Sequence, residues 1–330
     1  MADLTRTELA EATAIVRRAF AATPTYRWPL LAAAAGADVW VKHENHTPVG
    51  AFKVRGGLVY ADRLRRRRPE VTGLAAATRG NHGLSIAFAG RAAGLPVTVV
   101  VPHGNSAEKN AATRALGAEV VEVGHDFQAA REYAAALADA DPGLEVVPAF
   151  HRDLVAGVAT YAAELFAQAG ELDAVYVPVG MGSGISGLIA VRDLLGLRTE
   201  IIGVVTERAD ATARSFAAGA PVATEAADTF VDGVAARVPD PDAVRRIVAG
   251  AARIVTVSED AAAEAMRLLF RTTHNAPEPA GALALAGLQA EGGAPGRRAA
   301  VIATGGNVDS GLFAEVLLGR TPAPPSALVA

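Results

Sequence analysis

The stretch W-V-K-H-E-N-H-T-P-V-G-A-F-K-V-R-G-G, from Trp40 to Gly57, decides how the rest of the chain is read. Val39-Trp40-Val41 is strand-like, the chain breaks at Thr47-Pro48, and it restarts at Gly50 as a helix. Lys53 falls on the first turn of that helix. A helix start has free N–H groups and a dipole that favour anions, so it is a poor place for a cation. Such a field lowers an amine's pKa and leaves it more often neutral and nucleophilic. Lys53 is therefore a candidate Schiff-base lysine, set against the plainer reading of a solvated surface lysine.

Three more stretches bear on that choice. Ala77-Thr78-Arg79-Gly80-Asn81-His82-Gly83 follows a short apolar run and opens a second helix. Val177 to Gly187 (V-P-V-G-M-G-S-G-I-S-G) reads as strand, glycine-rich turn, helix. Ala303-Thr304-Gly305-Gly306-Asn307-Val308-Asp309 follows the last strand. In this order the four resemble the fold-type II pyridoxal-phosphate enzymes, in particular the serine/threonine dehydratase and serine racemase group. The group's patterns there are roughly G-S-F-K-x-R-G, S-S-G-N-H-G, V-P-V-G-G-G-G and S-G-G-N. The resemblance spans nearly the whole chain, and the ordered set is far more specific than any one motif.

Composition sets wider bounds. At 330 residues the chain exceeds one compact core, so two domains are expected. Half the residues are apolar (51%) and charge is ordinary, which describes a globular protein and not a disordered one. A net charge of −4 gives no reason to expect nucleic acid or an anionic membrane as partner. There is no cysteine, which excludes disulfides, thiolate catalysis and cysteine metal sites and fits a reducing cytoplasm. Met1 to Thr5 lacks the basic start and apolar block of a signal peptide. No apolar run approaches about 18 residues, so no membrane span is expected.

Between the motifs, strands and helices alternate. Leu9–Phe20 reads as an amphipathic helix capped by Thr5 or Thr7, Pro24–Leu31 as loop and Asp38–Glu44 as strand. The helix after Gly50 runs to Arg65-Arg66-Arg67-Arg68, cations that suit its C-terminal dipole. Strands follow at 74–77, 97–101, 119–123 and 144–147, with helices at 80–93, 107–116 and 127–140 between them. The second half gives helices at 155–168, 184–195, 258–271 and 280–289. Its strands fall at 174–179, 201–206, 254–257 and 299–303. Residues 231–241 read as loop, and the tail after Arg320 as frayed. This alternation predicts an α/β protein with parallel sheets flanked by helices. The resemblance implies a two-domain, tryptophan synthase β-like arrangement. Residues 1–55 and 151–330 form a large cofactor-binding domain, 56–150 a small one, and the active site lies in the cleft between them.

Each motif has its own chemistry. Gly180 to Gly187 is a phosphate-cradle candidate, since bare backbone and helix-start N–H groups suit an anion. Gly182 to Gly187 is also G-x-G-x-x-G, and Glu207 lies twenty residues past its last glycine, so a dinucleotide fingerprint stands as the rival reading. The lysine motif and the Gly-Asn turns have no role in hydride transfer and favour the pyridoxal reading. The resemblance makes Lys53 the cofactor lysine and catalytic base. It places Phe52, Asn81, Gly180, Met181, Gly182, Ser183, Gly184, Glu278 and Thr304 around the cofactor. It places Thr78, Arg79, Gly80, Asn81, His82 and Gly233 at the substrate. Met181 and Ser183 replace glycines of the group's loop. Met181 requires a backbone conformation that a side chain tolerates.

Arg79 is the largest departure. It stands where the group has serine, which in racemase-like members is the acid/base opposite the lysine. Arginine stays protonated and cannot play that part, which favours elimination over racemisation. Thr304 takes the place of the serine facing the pyridine nitrogen. No metal is expected, because Val205-Thr206 and Ala211 stand where metal-stimulated members carry acids. His43-x-x-His46 reads as packing rather than zinc ligation.

The expected function is a pyridoxal 5'-phosphate-dependent dehydratase that turns a β-hydroxy-α-amino acid into a 2-oxo acid and ammonia. The candidate substrates are threonine, serine, or a bulkier phenylserine-like or hydroxyaspartate-like analogue. Alternatives are β-replacement, racemisation, a nicotinamide-linked oxidoreductase using the 182–187 loop, and a non-catalytic binding protein of the same fold. A chain of this length is expected to lack the regulatory domain of biosynthetic threonine dehydratases, and to serve catabolism. A cytoplasmic homodimer is the default assembly.

Overall fold

The computed structural model describes residues 4–125, 127–293 and 296–324. Helix α1 (Arg6–Arg17) opens with a capping box, in which Thr5 and Glu8 satisfy each other's amides. Strand β1 (Thr25–Arg27), helix α2 (Pro29–Ala35), strand β2 (Asp38–His43) and helix α3 (Lys53–Arg67) follow. One run comprises β3 (Gly73–Ala77), α4 (Asn81–Ala93), β4 (Val97–Val101), α5 (Ala107–Ala115), β5 (Glu119–Glu122), α6 (Phe127–Ala140) and β6 (Leu144–Val146). The next opens with α7 (Arg152–Ala169), β7 (Ala174–Pro178), α8 (Ser183–Leu195), β8 (Glu200–Thr206), α9 (Ala211–Ala218) and α10 (Pro241–Gly250). It closes with β9 (Arg253–Val257), α11 (Glu259–Thr273), α12 (Pro279–Ala290), β10 (Arg298–Ala303) and α13 (Ser310–Leu317).

These strands make two sheets. The larger has the order β1-β2-β10-β7-β8-β9, parallel apart from β1, and the smaller, β5-β4-β3-β6, is wholly parallel. Runs such as Leu74–Ala77 and Ala299–Ala303 are apolar end to end because helices cover both faces of a parallel sheet. Each parallel pair needs a crossover, and the intervening helices supply it. The turns that leave the carboxyl ends of β3, β7 and β10 meet in one place, where open parallel sheets bind ligands.

Most of the expected elements are present, with differences that have local causes. The 24–31 segment holds β1 and the start of α2. A three-residue strand is too short to show alternation, and β1 exists only through its antiparallel pairing with β2. Pro29 stands at the first position of α2, which its fixed φ favours. Helix α10 begins where Asp240 accepts from the amides of Asp242 and Ala243 with Pro241 next to it, a start signal legible in D-P. Helices α9 and α13, eight residues each, are too short to show a clear period.

Two buried features fix the frame. Arg55, fully buried on α3, donates to Glu44 from Nε (2.7 Å) and Nη2 (2.9 Å) and to Glu164 from Nη1 (2.9 Å) and Nη2 (2.8 Å). Burial works against its charge, but the two carboxylates outweigh it and hold the guanidinium above its ordinary pKa. Helix α12 is buried from Pro279 to Leu288. A methyl group on Gly281 would stand 2.2 Å from the Gly305 carbonyl oxygen, and one on Gly287 2.4 Å from Val204 Cγ2. The arginine run is tied down by acids: Arg66 to Glu11 and Asp62, Arg67 to Asp153, Arg68 to Glu70 and Glu145.

Candidate active site

Lys53 is the first residue of α3. The turn before it is built by Thr47, whose hydroxyl accepts from the Ala51 amide (2.9 Å) and donates to the Ala51 carbonyl (2.8 Å). Gly50 takes φ +70° within that turn, a region open to glycine. Ala51 then bridges to Gly305, and the Phe52 amide donates to the Thr304 carbonyl at 3.0 Å. Lys53 and Thr304 are thus clipped side by side although 251 positions separate them. Among the described residues the Lys53 amine has no hydrogen-bond or ion-pair partner, and its Nζ stands 4.9 Å from the centre of the Phe52 ring. Burial lowers its pKa, and the nearby Glu278 carboxyl opposes the shift in part. That amine is poised to react.

The glycine turn after β7 forms the opposite wall. Gly182 sits at φ +92°, and a methyl group there would come within 2.9 Å of Ala243 Cβ. A methyl on Gly180 would meet the Gly233 carbonyl oxygen at 2.6 Å. Met181 needs no such freedom, since the one non-glycine residue with positive φ among the described residues is His274. This explains how a side chain replaces a glycine at 181. The first N–H groups of α8, from Ser183 onward, have no partner within the helix and are free for an anion. Tyr161, buried on α7, donates to the Gly184 carbonyl at 3.0 Å and fixes the turn from behind. Glu207, the acid of the rival dinucleotide reading, is exposed past the end of β8 and does not line the pocket.

From the smaller sheet comes the Thr78–His82 turn, at the start of α4. The Gly80 amide donates to the Thr78 hydroxyl at 2.9 Å. Asn81 reaches across to Glu278, its Nδ2 donating to Oε1 (2.7 Å) and Oε2 (2.9 Å). Glu278, 2% exposed, is pushed up to about 7 by burial; Lys109 opposes the shift and Asp232 adds to it. His82 contacts the Val147 carbonyl through Nε2 at 3.2 Å. Burial pushes its pKa down to about 4, so the ring is neutral, and Nε2 carries the proton because a carbonyl can only accept. Arg79 is exposed and, among the described residues, unpaired.

One pocket gathers Phe52, Lys53, Asn81, Gly180 to Gly184, Gly233, Glu278 and Thr304. Of the expected substrate residues, Asn81 and Gly233 line it. Thr78, Arg79, Gly80 and His82 lie beside it on the same turn. Lys109 went unforeseen, while Asn307 stands in the Gly-Gly-Asn turn singled out from the sequence and supports it through a contact with Asn81. Lys109 of α5 lies against Gly80 and pairs with Asp232 at 2.5 Å, and Asn307 donates to Asn81 Oδ1 at 2.8 Å. Neither contact is visible locally, since the partners are 123 and 226 positions away.

The chemistry of this set can be tested against pyridoxal phosphate. An unpartnered amine suits an aldehyde, and an amide N–H suits a ring oxygen. The Thr304 hydroxyl, 3% exposed and without a partner among the described residues, suits a ring nitrogen. The bare glycine turn at a helix start suits a phosphate. The four are chemically different, and the group has a complement for each.

Comparison with known proteins gives a consistent result. Residues 16–305 match the family described as "Pyridoxal-phosphate dependent enzyme". The L-threo-3-hydroxyaspartate ammonia-lyase of Pseudomonas sp is 33% identical over 299 residues, covering 90% of this chain and 93% of that protein. Its Saccharomyces cerevisiae counterpart is 30% identical over 304 residues, covering 92% and 93%. Among solved structures, the T.th. threonine deaminase superposes with a TM-score of 0.86 at 34% identity, covering 93% of this chain and 99% of that one.

Proposed function

This chain belongs to the pyridoxal-phosphate dependent enzymes as a lyase of the serine/threonine dehydratase group, and from that premise we propose how it works and on what. It is a dehydratase, or ammonia-lyase, of a β-hydroxy-α-amino acid. The substrate loses its α-proton and β-hydroxyl as water, and the enamine released tautomerises to an imine that water hydrolyses to a 2-oxo acid and ammonia. The cofactor supplies an electron-withdrawing ring that makes the α C–H acidic.

The protein's own groups do the rest. Lys53, its amine lowered in pKa and unpaired, holds the cofactor and takes the α-proton. The free N–H groups at the start of α8 hold the phosphate, while Asn81 and Glu278 face the ring oxygen and Thr304 the ring nitrogen. The amides of the Thr78–His82 turn hold the substrate carboxylate. His82 is pinned neutral and stays out of proton transfer. Residues 1–55 with 151–330, and 56–150, act as the two domains that flank this pocket.

The observation that carries the reading is an amine without a partner among the described residues facing a glycine-rich turn at a helix start, with an unpaired hydroxyl clipped beside it. Replacing Lys53 by alanine should abolish ammonia release and remove the absorbance band of the protein-bound cofactor near ~410–420 nm. A yellow K53A protein with unchanged turnover would refute it.

Within the substrate class, a 3-hydroxyaspartate-like acid is favoured. The exposed Arg79, unpaired among the described residues and on the turn beside the pocket, offers a cation for a second carboxylate. The relatives' printed activity points the same way. Measuring 2-oxo acid and ammonia over 3-hydroxyaspartate, threonine, serine and phenylserine decides among them. A preference for phenylserine would move Arg79 from ion pairing to ring stacking. A cytoplasmic homodimer completes the proposal, and sedimentation of the holoenzyme tests the dimer.

A further inference from the structure

Asn81 is held by a chain of amide hydrogen bonds whose direction is set at its far end. Asn307 Nδ2 donates to the Val49 carbonyl at 2.8 Å and to Asn81 Oδ1 at 2.8 Å. Asn81 Nδ2 then donates to both oxygens of Glu278, at 2.7 and 2.9 Å. The two ends of an amide are alike in shape, so partners decide which end points where. A backbone carbonyl can only accept, so the Asn307 atom facing Val49 must be nitrogen. That same nitrogen faces Asn81, so Asn81 must offer oxygen to it. The Asn81 nitrogen is thereby turned toward Glu278 and the pocket. The side chain packs directly on Gly50, where a methyl group would stand 2.7 Å from Asn307 Oδ1, so glycine at 50 leaves room for this arrangement.

We infer that Asn307 is a positioning residue that sets the polarity of Asn81, so that an N–H and not a carbonyl faces the cofactor's ring oxygen. The inference rests on the reading that Asn81 meets that oxygen. It makes Val49, Asn307 and Asn81 one directional unit drawn from three separate motifs. A carbonyl turned to an anionic ring oxygen would replace a charge-assisted hydrogen bond by repulsion.

The test is the affinity of the cofactor-free protein for pyridoxal phosphate, measured with its thermal midpoint. N307D has the same shape but no donor. It turns Asn81 around, and the dissociation constant should rise at least about tenfold. N307A leaves Asn81 free to rotate and should raise it by less. In N307D/E278Q the glutamine can donate to the reversed Asn81 carbonyl. The thermal midpoint should then recover while affinity does not, because the carbonyl still faces the ring. A merely structural role would move both together, so recovery of both overturns the inference. So does an unchanged dissociation constant in N307D, or an N307A effect as large as that of N307D. If N307D does not fold, N307A remains decisive, since unchanged affinity there also overturns it. The N81A protein separates the premise from the inference. If N81A binds as tightly as the parent, the contact between Asn81 and the ring is wrong. If N81A is weakened and N307D is not, the polarity is.

Discussion

Replacing Arg55 by methionine should cost this protein a large part of its stability, and the contacts show why. The guanidinium gives two hydrogen bonds to Glu44, two to Glu164, one to Thr160 (3.0 Å) and one to Thr23 (3.2 Å). Methionine fills much of the volume and removes all six. The two carboxylates then fare differently. Glu164 keeps Lys42 at 2.8 Å and Arg17 at 3.0 Å. Among the described residues Glu44 keeps only the Thr23 hydroxyl, at 2.6 Å, and is fully buried. One buried carboxylate is left without a cation in contact, and breaking such a pair costs roughly 3–5 kcal/mol. Equilibrium unfolding in guanidinium, followed by the fluorescence of Trp28 and Trp40, measures the loss. The companion variant R55M/E44Q removes the stranded charge and should recover at least half of it. If R55M loses less than about 1 kcal/mol, or R55M/E44Q is no better than R55M, the stranded charge is not the cause.

Other perturbations test the pocket. G182A forces a side chain into φ +92° and against Ala243; it should destabilise the turn by about 1–3 kcal/mol and weaken cofactor retention, read from the visible band after dialysis. Glu278 should make the cofactor-free protein less stable as pH rises. Its folded value near 7 lies above the ordinary 4.5, so the folded state holds a proton that the unfolded chain has lost between those values. The full effect is roughly 3 kcal/mol, and E278Q should gain on the parent from pH 5 to 7.5; the opposite trend would show that the carboxyl is not held neutral. His43 and His82, both held neutral to about pH 4, act with the other sign: stability falls as pH drops from 6.5 toward 4. R79M should raise KM for 3-hydroxyaspartate by about two- to fivefold while leaving serine little changed, as the loss of one exposed charge pair worth up to about 1 kcal/mol with a substrate carboxylate implies. Equal effects on both substrates would place Arg79 on the shared α-carboxylate.

Much of this was legible in the sequence because it is local. Strand-turn-helix at 177–187 needs glycine where the backbone turns and apolar runs on either side, and both are visible in the letters. Lys53 is legible because a break at Thr47-Pro48 and a restart at Gly50 put it on a first turn. Met181 looks anomalous in the sequence because a motif treats its glycines as equal. The backbone requires glycine at 182, for its φ, and at 180, for its neighbour, but not at 181. Lys109 gives no signal, and Arg55 and Asn307, though they fall within motifs, do not reveal their contacts there, because those roles exist only through partners brought near by the fold. An arginine two places after Lys53 looks solvent-facing until Glu164, 109 positions away, closes over it. Strand β1 escapes detection for the same reason, since its identity comes from β2.

Helix α12 carries Glu278 at its head and has glycine α-carbons resting on the Gly305 carbonyl and on Val204. It cannot slide or swell by one methyl group without lifting the sheet beneath it. Substitutions in this chain therefore have little room to reshape the pocket from that wall. Innovation has to come from the opposite lip, where Arg79 lies open to water and a single codon change disturbs no packing. A new taste in amino acids is easiest to acquire there, and the old skeleton survives it.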